Sequence, residues 1–147
     1  MKRLGACCVS LVAVVLSTAP TTAQSPKNTI SVPVSGLQGD AGNVRCGLYA
    51  SAATFRKPGQ EAVGVVAPIK GRAATCVFSN VPAGTYAVAA FHAAEGETQI
   101  SYGLFGKPDQ GYGFSRNPAS LFGPPAFSAA SFVYKGGPVS MPVTLSY

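Results

Sequence analysis

The sequence has no tryptophan, a single histidine, and charged side chains at only 11% of its positions. One imidazole, His92, excludes any zinc site built on paired histidines. Five acidic residues, Asp40, Glu61, Glu95, Glu97 and Asp109, leave few partners for acid–base chemistry. Eleven basic residues bring the net charge to +6, yet nowhere do four of them run together. A surface that tracks phosphates needs clustered Lys and Arg, so nucleic acid is excluded as a partner. After residue 23 no apolar stretch approaches the roughly 20 residues that span a bilayer, so no transmembrane segment is expected there. Helix signals are scarce as well, because 17 Gly and 12 Pro punctuate the chain.

What is present begins with a leader. Met1-Lys2-Arg3 is a short basic start, Leu4 to Leu16 is an apolar run, and small residues follow up to Ala23. That three-part layout predicts a secretory signal peptide over residues 1–23, with Thr21 and Ala23 as the small residues that signal peptidase reads. A short flexible lead-in, 24–27, then precedes one domain over 28–147. The expected localisation is outside the cytoplasm, periplasmic or extracellular. Removing Lys2 and Arg3 with the leader leaves nine basic residues against five acidic ones, a mildly basic surface.

Of the four cysteines, Cys7 and Cys8 leave with the leader, and Cys46 and Cys76 remain. An even pair in an exported chain predicts one intramolecular disulfide. No C-x-x-C spacing suggests redox chemistry, and two thiols with one His do not complete a tetrahedral zinc site.

Short Val-, Thr-, Tyr- and Phe-rich runs separated by turn residues predict a two-sheet, antiparallel β-sandwich of about seven strands. Ile30, Val32 and Val34 alternate with polar neighbours in a first strand, 28–35, which Pro33 marks as an edge strand. Val44, Cys46 and Leu48 share one face of the next, with Arg45 and Tyr49 on the other. Ala74, Cys76 and Phe78 share one face of a later strand, so both cysteines fall on apolar faces. Gly84 is expected to supply a positive φ before a strand over 85–91. Residues 127–134 and 139–145 are expected to close the domain as a hairpin. Between His92 and Pro125 lies the longest irregular stretch, with one short strand expected at 99–105. Loops of that length in a small domain are usually functional or ordered by their own side chains.

Within that stretch, Gly106 to Asn117 (with Gly111-Tyr112-Gly113-Phe114-Ser115 at its heart) and Phe122-Gly123-Pro124-Pro125-Ala126-Phe127 resemble the signature of a bacterial exported family, domain of unknown function 2141. Val44 to Tyr49 and Val81 to Val88 resemble that family's early strand and its central turn. The likeness runs from about Asn28 to Tyr147. It implies a secreted sandwich, transthyretin-like or prealbumin-like, and no reaction. The family's acidic, calcium-loop-like segment after its His is replaced here by Ala93-Ala94-Glu95-Gly96-Glu97, and Gln110 stands where a Glu is expected. Calcium takes six to eight oxygens, several of them carboxylate. Glu95, Glu97 and Asp109 are therefore the candidates for a weak calcium site.

A hydrolase centred on His92 would need Ser115 or Ser101 as nucleophile and Asp109 as orienting acid, and no Gly-x-Ser-x-Gly elbow marks either serine. His92 at a strand end is expected to pin a loop by hydrogen bonds. The candidate ligand loop comprises His92, Tyr112, Phe114, Ser115, Asn117 and Phe122, with Phe114 and Phe122 as buried plugs and Tyr112 the more exposed. These observations point to a non-enzymatic binding or envelope-interaction module without a cofactor, its partner an envelope component, a glycan or a peptide. The alternatives are a calcium-stabilised carbohydrate-binding or adhesion module and the His92 hydrolase.

Overall fold

Alternation of apolar and polar residues gives each strand one wet and one dry face, and burying the dry faces stacks two sheets. The computed structural model describes residues 27–104, 108–119 and 123–147. The expected leader and residues 24–26 lie outside them.

Strand β1 (Ile30–Ser35) pairs antiparallel with β4 (Ala74–Phe78). On its other side β1 pairs in parallel with β8 (Val139–Ser140) and β9 (Val143–Thr144). The second sheet runs in the order β3 (Val63–Pro68), β2 (Asn43–Tyr49), β5 (Gly84–Ala93), β6 (Tyr112–Phe114), and β7 (Phe132–Tyr134) also pairs with β5. A four-residue helix, α1 (Phe127–Ala130), precedes β7. The architecture is a β-sandwich of nine strands among the described residues. The count exceeds seven because several strands are only two or three residues long.

The core between the sheets holds Ile30, Val32 and Val34 from β1, Val44 and Leu48 from β2, Phe78 from β4 and Val88 from β5. Cys46 and Cys76 form a disulfide that joins β2 in one sheet to β4 in the other, with Cα atoms 6.4 Å apart. That separation is ordinary for a disulfide. Tyr86 adds a tie at the start of β5, its hydroxyl donating to the Pro82 carbonyl at 3.0 Å.

Four expectations are corrected. β1 is a central strand, not an edge. The carbonyls of Thr29, Ser31 and Ser35 accept from Val139, Met141 and Leu145, so Pro33, of the same parity, faces the β8–β9 side. Its missing N–H falls opposite residues 141–142, where the ladder between β8 and β9 is interrupted. The closing segment is not a hairpin either. Residues 127–130 are helical, β7 joins the second sheet, and β8 and β9 cross to the first, running parallel to β1. The expected strand at 99–105 is absent among the described residues, where Tyr102 makes one isolated bridge to Pro108. Gly84 does not take positive φ; Asn80 does, at 57°.

Candidate functional site

The outer face of the second sheet, turned away from the core, carries an unusual row. Cross-strand register places Gly64 opposite Gly47, Gly47 opposite Ala89, and Ala89 opposite Phe114. Three adjacent strands thus present no side chain larger than a methyl group in one line. Glycine inside a strand weakens it and commonly marks the close approach of another group. Here the close neighbours are the Tyr49 ring, which lies over Gly47, and the Glu61 side chain, which lies over Gly64.

The neighbouring row is large. Val66, Arg45, Phe91 and Tyr112 stand side by side across β3, β2, β5 and β6. Thr98, Gln99, Ile100, Tyr102 and Pro108, which follow β5, and Pro124, which follows β6, line the same space. With the two rows they bound a cleft of about 330 Å³, within the range of small-ligand pockets. At one end a second apolar cluster stiffens it. Phe55 meets Tyr49, Phe114 and Phe127 edge-on at centroid distances of 5.6, 5.8 and 5.7 Å.

Charge in the cleft comes from Arg45, Arg56 and Glu61. Arg56 lies over the Phe55 ring, 5.7 Å from its centroid. The Nε of Arg45 is buried and has no hydrogen-bond partner. Asn43 Oδ1, two residues back on the same strand, is in the same state but does not line the cleft. Burial raises the Tyr49 hydroxyl above its ordinary 10.0, and the charge of Glu61 and then Tyr102 push it the same way.

The six residues of the candidate ligand loop separate. Tyr112 and Phe114 line the cleft, Tyr112 half-buried and Phe114 buried. Ser115 is wholly buried; its Oγ accepts from the Val88 N–H at 2.8 Å and donates to the Ala130 carbonyl at 2.6 Å. Asn117 ties the loop to β9, accepting from the Thr144 N–H and donating to the Pro142 carbonyl. His92 points to the opposite side of the sheet from the cleft. Its Nε2 is 2.8 Å from the Ala41 carbonyl and must donate to it. Its Nδ1 is 2.7 Å from the Tyr147 hydroxyl, which also accepts from the Gln38 N–H. Both ring nitrogens are thus engaged with groups other than Ser101, Ser115 and Asp109. Phe122 lies outside the described residues.

Glu95, Glu97 and Asp109 do not converge. No group of three or more His, Cys, Asp or Glu fit to hold a metal ion occurs among the described residues. Glu97 instead accepts from the Glu95 N–H at 2.9 Å. The N–H groups of Glu97 and Glu95 hold its carboxyl below the ordinary value, and Gln110 and His92 add to that. Gln110 accepts from the Ser101 N–H through Oε1 and donates through Nε2 to Ser101 Oγ and Glu97. A neutral amide therefore knots this loop with both acceptor and donor, which a carboxylate cannot do.

The cleft residues outside the loop were harder to find in the sequence. Arg45 and Tyr49 are legible as facing away from the core, but nothing local says what covers them. The available signal was glycine inside strands, Gly47 and Gly64, whose alignment appears only once register is known.

A family model described as an uncharacterized protein conserved in bacteria (DUF2141) matches residues 32–141. No curated protein and no solved structure matches the chain.

Proposed function

The chain belongs to the bacterial DUF2141 family, and on that footing we propose that it is an exported, non-enzymatic module that binds a small ligand in the cleft. The observation that carries this reading is the aligned trio Gly64, Gly47 and Ala89. Strand positions facing an ordinary solvated surface favour β-branched or aromatic residues. Three small residues in register forgo that stabilisation and keep the floor low beneath the Tyr49 ring and the Glu61 side chain, beside which the cleft lies. The flank sets one cation, Arg45, among Val66, Phe91 and Tyr112, the composition of a site that orients a ligand as well as burying it.

Export is supported by the leader-like start and by the Cys46–Cys76 disulfide, a bond that persists in oxidising compartments. What speaks against the His92 hydrolase is the engagement of both His92 ring nitrogens and the burial of Ser115.

Filling the floor tests the site. Ala89→Phe places a ring in the cleft from a half-buried position. Ligand-observed NMR with a mixture of ring-bearing fragments is expected to show saturation transfer from wild type to at least one fragment, and none from A89F of unchanged circular dichroism. Equal transfer from both proteins removes the cleft as the site.

A further inference from the structure

We infer that the ligand of the cleft is a small monocarboxylate with a flat apolar body, its carboxylate held by the guanidinium of Arg45. This inference rests on the reading of the cleft as a binding site and adds the chemistry of what enters it.

Arg45 carries the case. It stands between Val66 and Phe91 in the tall row, so its charge is set among apolar neighbours on both sides. Arg45 is half-buried and its Nε is shut off from solvent without a hydrogen-bond partner, so part of its solvation is lost with nothing in the chain to replace it. Every acidic residue of the chain is among the described ones, and none of the five bonds to Arg45 Nε. Asp40 accepts from the Arg72 N–H, and Glu97 is occupied by the Glu95 N–H and Gln110. Glu61, the acid that shares the cleft, lies over Gly64. The Nε itself is closed to solvent, so a ligand meets Arg45 at its outer Nη groups, whose two N–H groups form an edge that receives a carboxylate with two parallel hydrogen bonds. A carboxylate there would supply the pairing that the chain does not.

The ligand's charge and shape follow from the remaining lining. Two arginines against one glutamate leave the cleft one positive charge in excess, so one carboxylate neutralises it, and Glu61 repels a second. The Tyr49 ring and the Glu61 side chain lie over Gly47 and Gly64, and Ala89, Phe91 and Tyr112 line the cleft beside them. A flat ring packs between these walls with its edge or face against the aromatic side chains. A cleft of about 330 Å³ is near the lower bound for ligand pockets, which fits one ring and a short acid arm.

The test is titration calorimetry on the disulfide-bonded protein with phenylacetate, 4-hydroxyphenylacetate and indole-3-acetate, each against its amide of the same shape. At least one acid is expected to bind saturably, its amide at least tenfold more weakly. Arg45→Gln should weaken the acid at least tenfold and leave the amide unchanged. Arg45→Lys, which keeps the charge but loses the two-bond edge, should fall between. If acid and amide bind wild type alike, or if R45Q and R45K both bind the acid as wild type does, the carboxylate assignment is overturned. In that case loss of amide binding on A89F would leave the cleft itself standing as the site. Absence of saturable binding by all three acids also overturns the assignment.

Discussion

Ser115 shows how a residue with chemical promise becomes structural once its partners are seen. In the sequence it sits in a Gly-Tyr-Gly-Phe-Ser run beside candidate aromatics. In the fold its hydroxyl stitches the end of β6 to Val88 of β5 and to the last turn of α1. Ser115→Ala leaves the Val88 N–H and the Ala130 carbonyl buried without that partner, a loss of about 1–3 kcal/mol. Urea unfolding should report it, and a change under about 0.5 kcal/mol would show the hydroxyl to be dispensable. His92 teaches the same lesson from the other direction. Its place at a strand end made a tether legible, but the tethered groups, Ala41 and Tyr147, are 51 and 55 residues away. Tyr147→Phe removes the donor to Nδ1 and the acceptor for the Gln38 N–H. Its expected cost is about 1 kcal/mol, with faster amide exchange at Gln38 as the local readout.

Among the elements, β6 is the one that residue patterns hid. Tyr112–Phe114 falls in the stretch read as irregular between His92 and Pro125, yet it is wedged between β5 and the β9 segment. The glycines are there because of that wedge. A Cβ on Gly111 would strike the Tyr147 ring, and one on Gly113 would strike the Thr144 carbonyl oxygen. Gly113→Ala should therefore cost about 1–3 kcal/mol through overpacking and loosen β9, seen as lost protection of the Tyr112 and Ser146 amides. Retained protection and unchanged stability would show that β6 is not clamped. The disulfide acts between elements, joining a strand of each sheet across 30 residues of chain. Replacing Cys46 and Cys76 together by Ala should lower stability by about 3–4 kcal/mol under the chain-entropy view. Pro33 misled for a related reason: proline rules describe one side of a strand, and a central strand tolerates it where its neighbour is broken.

At the scale of the molecule, stability should fall away at high pH. Tyr49 is neutral when folded, and burial lifts its hydroxyl above the ordinary 10.0, with Glu61 and Tyr102 adding to the rise. The unfolded chain therefore loses that proton first, and stability declines as pH climbs from about 10 through the raised value. Tyr49→Phe should flatten this decline in thermal melts taken from pH 9 to 11; an unchanged slope would assign it to other groups. Export gives a second whole-chain readout. Full-length protein made in a bacterial host is expected outside the cytoplasm with a mass beginning at Gln24, and uncut chain in the cytosol would contradict it. Composition and alternation by themselves determined the all-β class, the inward faces of β1, β2 and β4, and the cysteine pair. Those follow from local rules, because a period of two and an even pair of thiols are properties of neighbouring residues. Tertiary structure alone decided which strands are central, where β6 lies, and that Gly64, Gly47 and Ala89 fall into one line beside Arg45. Register between strands distant in sequence is a choice among pairings. It is made by the packing of the whole core, and no single stretch of sequence contains it.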